Sequence, residues 1–176
     1  MIMPYLGEST DTVLGQEFLT WLWYQSDTAP GAFSDKDGAP FSVSMEQRIV
    51  VEGGEGDARE VASVSGSLSP LREARFGLGT GKKVSRALLH LEKDELTFQL
   101  VLRAEDFCLN SMKTPKLDRI TYEDDDPDAL LLEKFYLIEV CISLLDDLYA
   151  RFLKLRLSPA WLQEVDDMRQ WMTRTE

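Results

Sequence analysis

Residues 84–102 read VSRALLHLEKDELTFQLVL. Two runs of alternating apolar and polar residues flank a short charged connection, which is the pattern of a β-hairpin with one face turned to water. In the second run Leu96, Phe98, Leu100 and Leu102 share a face, and Glu95, Thr97, Gln99 and Val101 share the other. In the first run Ala87, Leu89 and Leu91 match the inner set, which leaves Arg86, Leu88 and His90 outside. The spacing predicts strands over 84–91 and 95–102 joined at EKD, with a third strand, DFCLNSM (106–112), continuing the meander. Arg103 would close the end of the outer face.

Upstream of the hairpin, FSVSM (41–45) and QRIVVE (47–52) are separated by one residue and read as one bulged strand. GGEGD (53–57) is a turn and REVASVSG (59–66) the returning strand. SPLREARFGL (69–78) has Ser69 before Pro70, the order of a helix cap and first helical residue, and the helix should stop at Gly77 or Gly79. GLGTGKK (77–83) is therefore a helix exit feeding the strand at 84. It fails as a phosphate-binding loop: with Gly81-Lys82 as the Gly-Lys pair, the first glycine of the motif falls on Phe76 and the magnesium-binding hydroxyl on Lys83.

At the two ends the periodicity is helical. TDTVLGQEFLTWLWYQSDT (10–28) opens on Thr10 and Asp11 as cap residues, and Phe18, Leu19, Trp21, Leu22, Trp23 and Tyr24 spread around most of the helix. Such a helix is buried on all sides, either through the core or with one face on another chain. SDTAPGAFSDKDGAP (26–40) is loop by composition. DPDALLLEKFYLIEVCISLLDDLYARFLKLRL begins with Asp126 as cap and Pro127 at the first position, and Leu131, Phe135, Ile138, Ile142, Leu145, Tyr149 and Phe152 step down one face. A last helix follows Ser158-Pro159, with Trp161, Leu162, Val165, Met168, Trp171 and Met172 as its stripe; the final two helices should pair antiparallel on the sheet. The expectation is a single α+β domain over 1–176: an antiparallel sheet of about five short strands packed with an N-terminal aromatic helix and two C-terminal helices.

The chain has 176 residues, 44% hydrophobic and 28% charged, the composition of a soluble globular domain with a sizeable core. Its net charge of −12 counts against simple non-specific DNA binding. Part of that charge is local, in YEDDDPD (122–128), read as a solvated loop whose acids favour the following helix N-terminus. One histidine and two cysteines, Cys108 and Cys141, outside any C-x-x-C leave no zinc site and read as free thiols in a reducing cytosol. MIMPYLGEST lacks the parts of a signal peptide and no apolar run is long enough to span a bilayer, so a cytoplasmic protein without membrane contact is expected.

Catalytic patterns are scarce. His90 has no partnered nucleophile in the sequence. The D…[DE]-x-K arrangement of one class of metal-dependent nucleases needs an acid two residues before a lysine, and no lysine here has one. The expectation is a non-enzymatic chain with no cofactor and no metal. Asp146-Asp147 and Asp166-Asp167 read as solvent-facing charge. Two basic groupings flank the predicted sheet: Arg72, Arg75, Lys82, Lys83 and Arg86 before and within its hairpin, and Lys113, Lys116 and Arg119 after its third strand. Phosphate oxygens require only positive charge and N–H donors along a surface, so such groupings suit nucleic acid as well as plain solubility.

The segments LGQEFLTWLWYQS (14–26), GKKVSRALLHLEKDELTFQLVL (81–102), SMKTPK (111–116) and LEKFYLIEVCISLLDDLYARFLKLRL (132–157), closed by a tryptophan-bearing helix, resemble in this order the C-terminal part of RdgC-type recombination-associated proteins. The resemblance implies a bacterial, cytoplasmic, nucleoid-associated and non-enzymatic protein. Such proteins bind duplex DNA with little sequence preference, act as ring-shaped homodimers and restrain the RecA recombinase. Lys82 and Lys83 of GKK and Lys113 and Lys116 of KTPK resemble family motif positions; with Arg86 they form the expected nucleic-acid-binding set. The rival expectations are a protein-interaction module without DNA binding and a metal-dependent nuclease.

Overall fold

The computed structural model describes residues 12–53, 60–65, 68–79, 81–116 and 127–174. The caps expected at Thr10, Asp11 and Asp126, most of the turn at 53–57, the acidic run up to Asp126 and Arg119 lie outside them.

The chain begins with α1 (Thr12–Thr28), followed by a two-residue strand β1 (Phe33–Ser34), the long β2 (Pro40–Gly53), β3 (Glu60–Ser65) and α2 (Leu68–Gly79). Strands β4 (Lys83–Lys93), β5 (Leu96–Arg103) and β6 (Leu109–Lys113) come next, and α3 (Pro127–Arg156) and α4 (Trp161–Thr173) end the chain. All strand pairs are antiparallel: β2, β4, β5 and β6 lie side by side, with β1 and β3 on the other edge of β2. The two apolar runs at 41–45 and 47–52 are one strand whose register slips between Glu46 and Ile49, the bulge expected from the extra residue.

The hairpin turns at Asp94-Glu95, between the paired Lys93 and Leu96, and Asp94 takes the left-handed conformation at φ 53° that aspartate tolerates. The third strand starts three residues later than its apolar pattern suggests. Phe107 also sits at positive φ, and the Asp106 carboxylate accepts the Cys108 N–H at 3.1 Å, so 104–108 form a turn rather than ladder.

The inner sheet face, Val43, Val51, Val84, Ala87, Leu89, Leu91, Phe98, Leu100 and Leu102, is buried throughout. α1 lies across it and reaches close range because Gly15 has no side chain: a Cβ there would stand 1.8 Å from the Ala104 carbonyl oxygen. Of the two readings open for the aromatic helix, burial in the chain's own core is the one realised: Phe18, Leu19, Trp21, Leu22 and Trp23 are each at most 5% exposed. Phe18 meets Tyr149 and Phe152 of α3 with ring centroids 5.2 and 5.5 Å apart, and Trp23 meets Trp171 of α4 edge-on at 5.3 Å.

The final helices depart from expectation in three ways. First, the buried face of α3 is Leu137, Cys141, Leu144, Leu145, Leu148 and Phe152, while Leu131, Phe135 and Ile142 of the expected stripe are exposed. The helix is apolar over more than one face, so periodicity alone selects a stripe that shares Leu145 and Phe152 with the buried face but is centred about 80° from it. Second, α4 takes α2 and α1 as its main helix neighbours rather than pairing antiparallel with α3, and Leu162 of its expected stripe is exposed. Third, Ser158 does not cap α4. Its hydroxyl donates back to Leu155 O at 2.8 Å and closes the exit of α3, and Ala160 precedes α4 without a side-chain cap.

Polar clamps bind these layers. Trp171 Nε1 donates to Asp27 Oδ2 at 2.6 Å, and the Arg75 guanidinium lies over the Trp171 ring and donates to Arg174 O at 2.6 Å. Arg156 pairs with Glu17 at 2.7 Å and covers the face of Trp161.

Candidate nucleic-acid interface

Every helix that packs on the sheet packs on its inner side. The other face carries the outward set of the alternation, and none of its side chains on β4 and β5 is buried, so no layer of described residues covers it. Register fixes what stands beside what. One cross-strand row runs Lys113 (β6), Gln99 (β5), His90 (β4), Ser44 (β2). Two residues along lies Asn110, Val101, Leu88, and then Arg103, Arg86, Val50. Rows two residues apart are separated by roughly 7 Å along the strands, and neighbouring strands by roughly 4.8 Å.

The face is thus a polar platform with a small apolar centre, Leu88 and Val101, and cations at two corners. Arg86 is exposed; Arg103 beside it is held by Asp106, with Nε 2.8 Å from Oδ1 and Nη2 on Oδ2. The guanidinium pulls the Asp106 carboxyl below the usual carboxylate range, and the carboxylate holds Arg103 protonated above its ordinary value. Arg86 therefore carries more of the uncompensated charge at this corner. At the other end of β4, beyond the His90 row, Glu92 is exposed.

The five expected residues do not come together. Arg86 and Lys113 share the open face at different ends of it. Lys83 opens β4 three residues before Arg86, which puts it roughly 23 Å along the sheet from the Lys113 row. Lys116 follows the end of β6 and is exposed. Lys82 folds back onto α2: its N–H donates to Gly77 O at 3.1 Å and its Cδ lies 3.4 Å from where a Gly77 Cβ would stand. Arg75, of the first basic grouping, is withdrawn into the contact with α4. The two groupings separate because a strand's two ends lie a full sheet length apart, a distance that sequence spacing does not reveal.

GLGTGKK closes the C-terminal end of α2. Gly81 N donates to Leu78 O at 3.1 Å, and Gly81 supplies the positive φ of 95° that such an exit needs. With the Gly81 and Lys82 amides spent on the helix carbonyls, they cannot cradle a phosphate. Gly79, Gly81 and Lys83 instead border a cleft of about 490 Å³ walled by Leu78, Trp161, Met168 and Met172. Among the described residues no three His, Cys, Asp or Glu side chains converge as a metal site. Among the same residues no helix is long and apolar enough to cross a membrane.

Sequence reasoning placed Arg86, His90, Gln99 and Arg103 on the outer face and missed Asn110 and the Arg103–Asp106 pair. The signal for the pair was the i, i+3 spacing of opposite charges at the end of a strand. In comparisons with known proteins, no protein-family model, curated protein or solved structure matches the chain.

Proposed function

We propose that this is a non-enzymatic DNA-recombination-associated protein that binds duplex DNA without sequence preference, through the open face of its sheet, alone or beside a DNA-bound recombinase. The observation that carries the reading is the exposure of Arg86, Asn110 and Lys113 on one sheet face that no helix of described residues covers. The resemblance of 14–26, 81–102, 111–116 and 132–157 to RdgC-type proteins supports it, and a cytoplasmic, nucleoid-associated location goes with it. A net charge of −12 makes the interaction weak, because the rest of the chain repels the phosphates.

Fluorescence anisotropy with two unrelated duplexes at low salt tests the proposal. Wild-type protein should bind both alike. Arg86→Ala with Lys113→Ala should weaken both and flatten the log–log salt slope by up to about two, at roughly 0.9 for each phosphate no longer neutralised. Lys82→Ala with Lys83→Ala, at the end of β4, should do less. Absence of binding by the wild type at low salt would refute the reading and leave a protein-interaction module.

A further inference from the structure

The largest feature that the core leaves unused is the first half of α3. The helix has 30 residues, roughly 45 Å of length, and the first of them to be buried is Leu137. Before and around that point, Leu131, Leu132, Phe135, Tyr136 and Ile142 are 52, 68, 58, 60 and 41% exposed. Large side chains seldom stand in water in such a group unless something docks there. Leu131, Phe135, Ile138 and Ile142 fall within about 60° of one another on the helix, an i, i+4, i+7, i+11 stripe beside the buried face.

Charge selects the occupant. Asp128, Glu139 and Asp146 lie within about 20° of one another and form an acidic row along the flank of that stripe away from the core. Leu132 and Tyr136 stand on the far side of the row, so acid runs through the exposed apolar patch. Glu123, Asp124, Asp125 and Asp126 precede the helix directly in the chain and add charge of the same sign. In a second copy docked antiparallel, the acidic rows would face each other; docked parallel, it would bring the acidic first turns of the two helices, at Asp128, to the same end. Either arrangement sets like charges close at a semi-apolar surface.

We propose that the N-terminal half of α3 is a docking face for a basic amphipathic helix of a partner protein. Its leucine-type residues would lie on Leu131, Phe135 and Ile142, and its lysines or arginines on Glu139 and Asp146. This is the helix-on-helix mode of recognition, with Phe135 and Tyr136 as aromatic anchors and the acidic row setting partner choice and encounter rate. It is independent of the DNA reading: the sheet's open face and the α3 stripe share no residue.

Two labelled model helices serve as probes, one of leucine and lysine with leucines at i, i+3, i+4 spacing, the other identical with glutamate for lysine. Titrated with the full chain, the Leu–Lys helix should bind and the Leu–Glu helix should not. Leu131→Ser with Phe135→Ser should weaken Leu–Lys binding at least about tenfold. Glu139→Lys with Asp146→Lys should weaken it similarly and admit the Leu–Glu helix. All four side chains are exposed, so melting temperature should hardly move; if the serine variant fails to fold, the charge reversal decides alone. No binding of the Leu–Lys helix, equal binding of both helices, or indifference to the charge reversal overturns the proposal. So does a wild-type dimer in sedimentation that Phe135→Ser dissociates, which would give the face to a second copy.

Discussion

The indole Nε1 of Trp21 donates to Glu164 Oε1 at 3.0 Å, so the most buried tryptophan of α1 is satisfied by a carboxylate of α4, 143 residues away. Gln25 Nε2 shares the same oxygen at 2.5 Å. Glu164→Ala leaves a buried N–H without an acceptor and should cost about 1–3 kcal/mol in urea denaturation. Glu164→Gln keeps a carbonyl oxygen in place and should cost less; equal losses would show that the hydrogen bond contributes nothing.

Trp23 is 5% exposed and stands edge-on to Trp171. Trp23→Ala should lower stability by about 3–5 kcal/mol. A loss below about 1 kcal/mol would mean that the site collapses around the void, or that α4 does not hold this ring.

Gly15→Ala should be among the most damaging single-methyl additions in the chain. The new Cβ meets the Ala104 carbonyl oxygen at 1.8 Å, a backbone atom that cannot turn away. Overpacking of this kind costs about 1–3 kcal/mol, and more when backbone must shift. Unchanged thermal melting of the alanine variant would show that α1 slides on the sheet at little cost.

Asp35 gathers three donors: Lys93 Nζ at 2.5 Å and the N–H groups of Asp37 at 3.0 Å and Ala39 at 2.8 Å. The Lys93 ammonium first, then the backbone donors, hold its carboxyl below the ordinary range. The unfolded chain therefore takes up the proton first as pH falls. The stabilisation is full well above the unfolded aspartate value of about 3.9 and is lost as pH drops below it through the lowered folded value. Wild-type stability should fall more steeply below about pH 4 than that of Asp35→Asn. Parallel acid limbs in a pH series of urea midpoints would remove this residue from the acid response.

The two thiols should separate by reactivity. Burial pushes the Cys141 thiol up to about 11, whereas Cys108 is only half-buried. At pH 8 an alkylating reagent should label Cys108 in the native protein and reach Cys141 only on unfolding, as read by mass spectrometry. Native labelling of Cys141 at a comparable rate would show that α3 opens readily.

The strand residues were legible because a half-buried sheet imposes a period of two that no other element copies: Leu96 to Leu102 against Thr97 to Val101 needed no tertiary information. The aromatic helix was legible for the opposite reason, since a run apolar on all sides admits only burial. The candidate site was partly legible. Alternation put Arg86, His90 and Gln99 on one face, but nothing local said that Arg75 turns toward α4, that Asp106 occupies Arg103, or that Lys83 and Lys113 end far apart.

Sequence by itself determined the antiparallel meander, the bulge in its long strand, a helix exit at Gly77 or Gly79 and the failure of GLGTGKK as a phosphate loop, because each rests on residues within a few positions of one another. Tertiary structure decided which of two apolar faces of α3 is covered, that α4 lies on α2 and α1, and which cations share a surface. Those outcomes depend on competition between faces of similar hydrophobicity for the same core. The Gly15–Ala104 approach, the Trp21–Glu164 bond and the Trp23–Trp171 contact settle it, each joining residues that the chain keeps far apart.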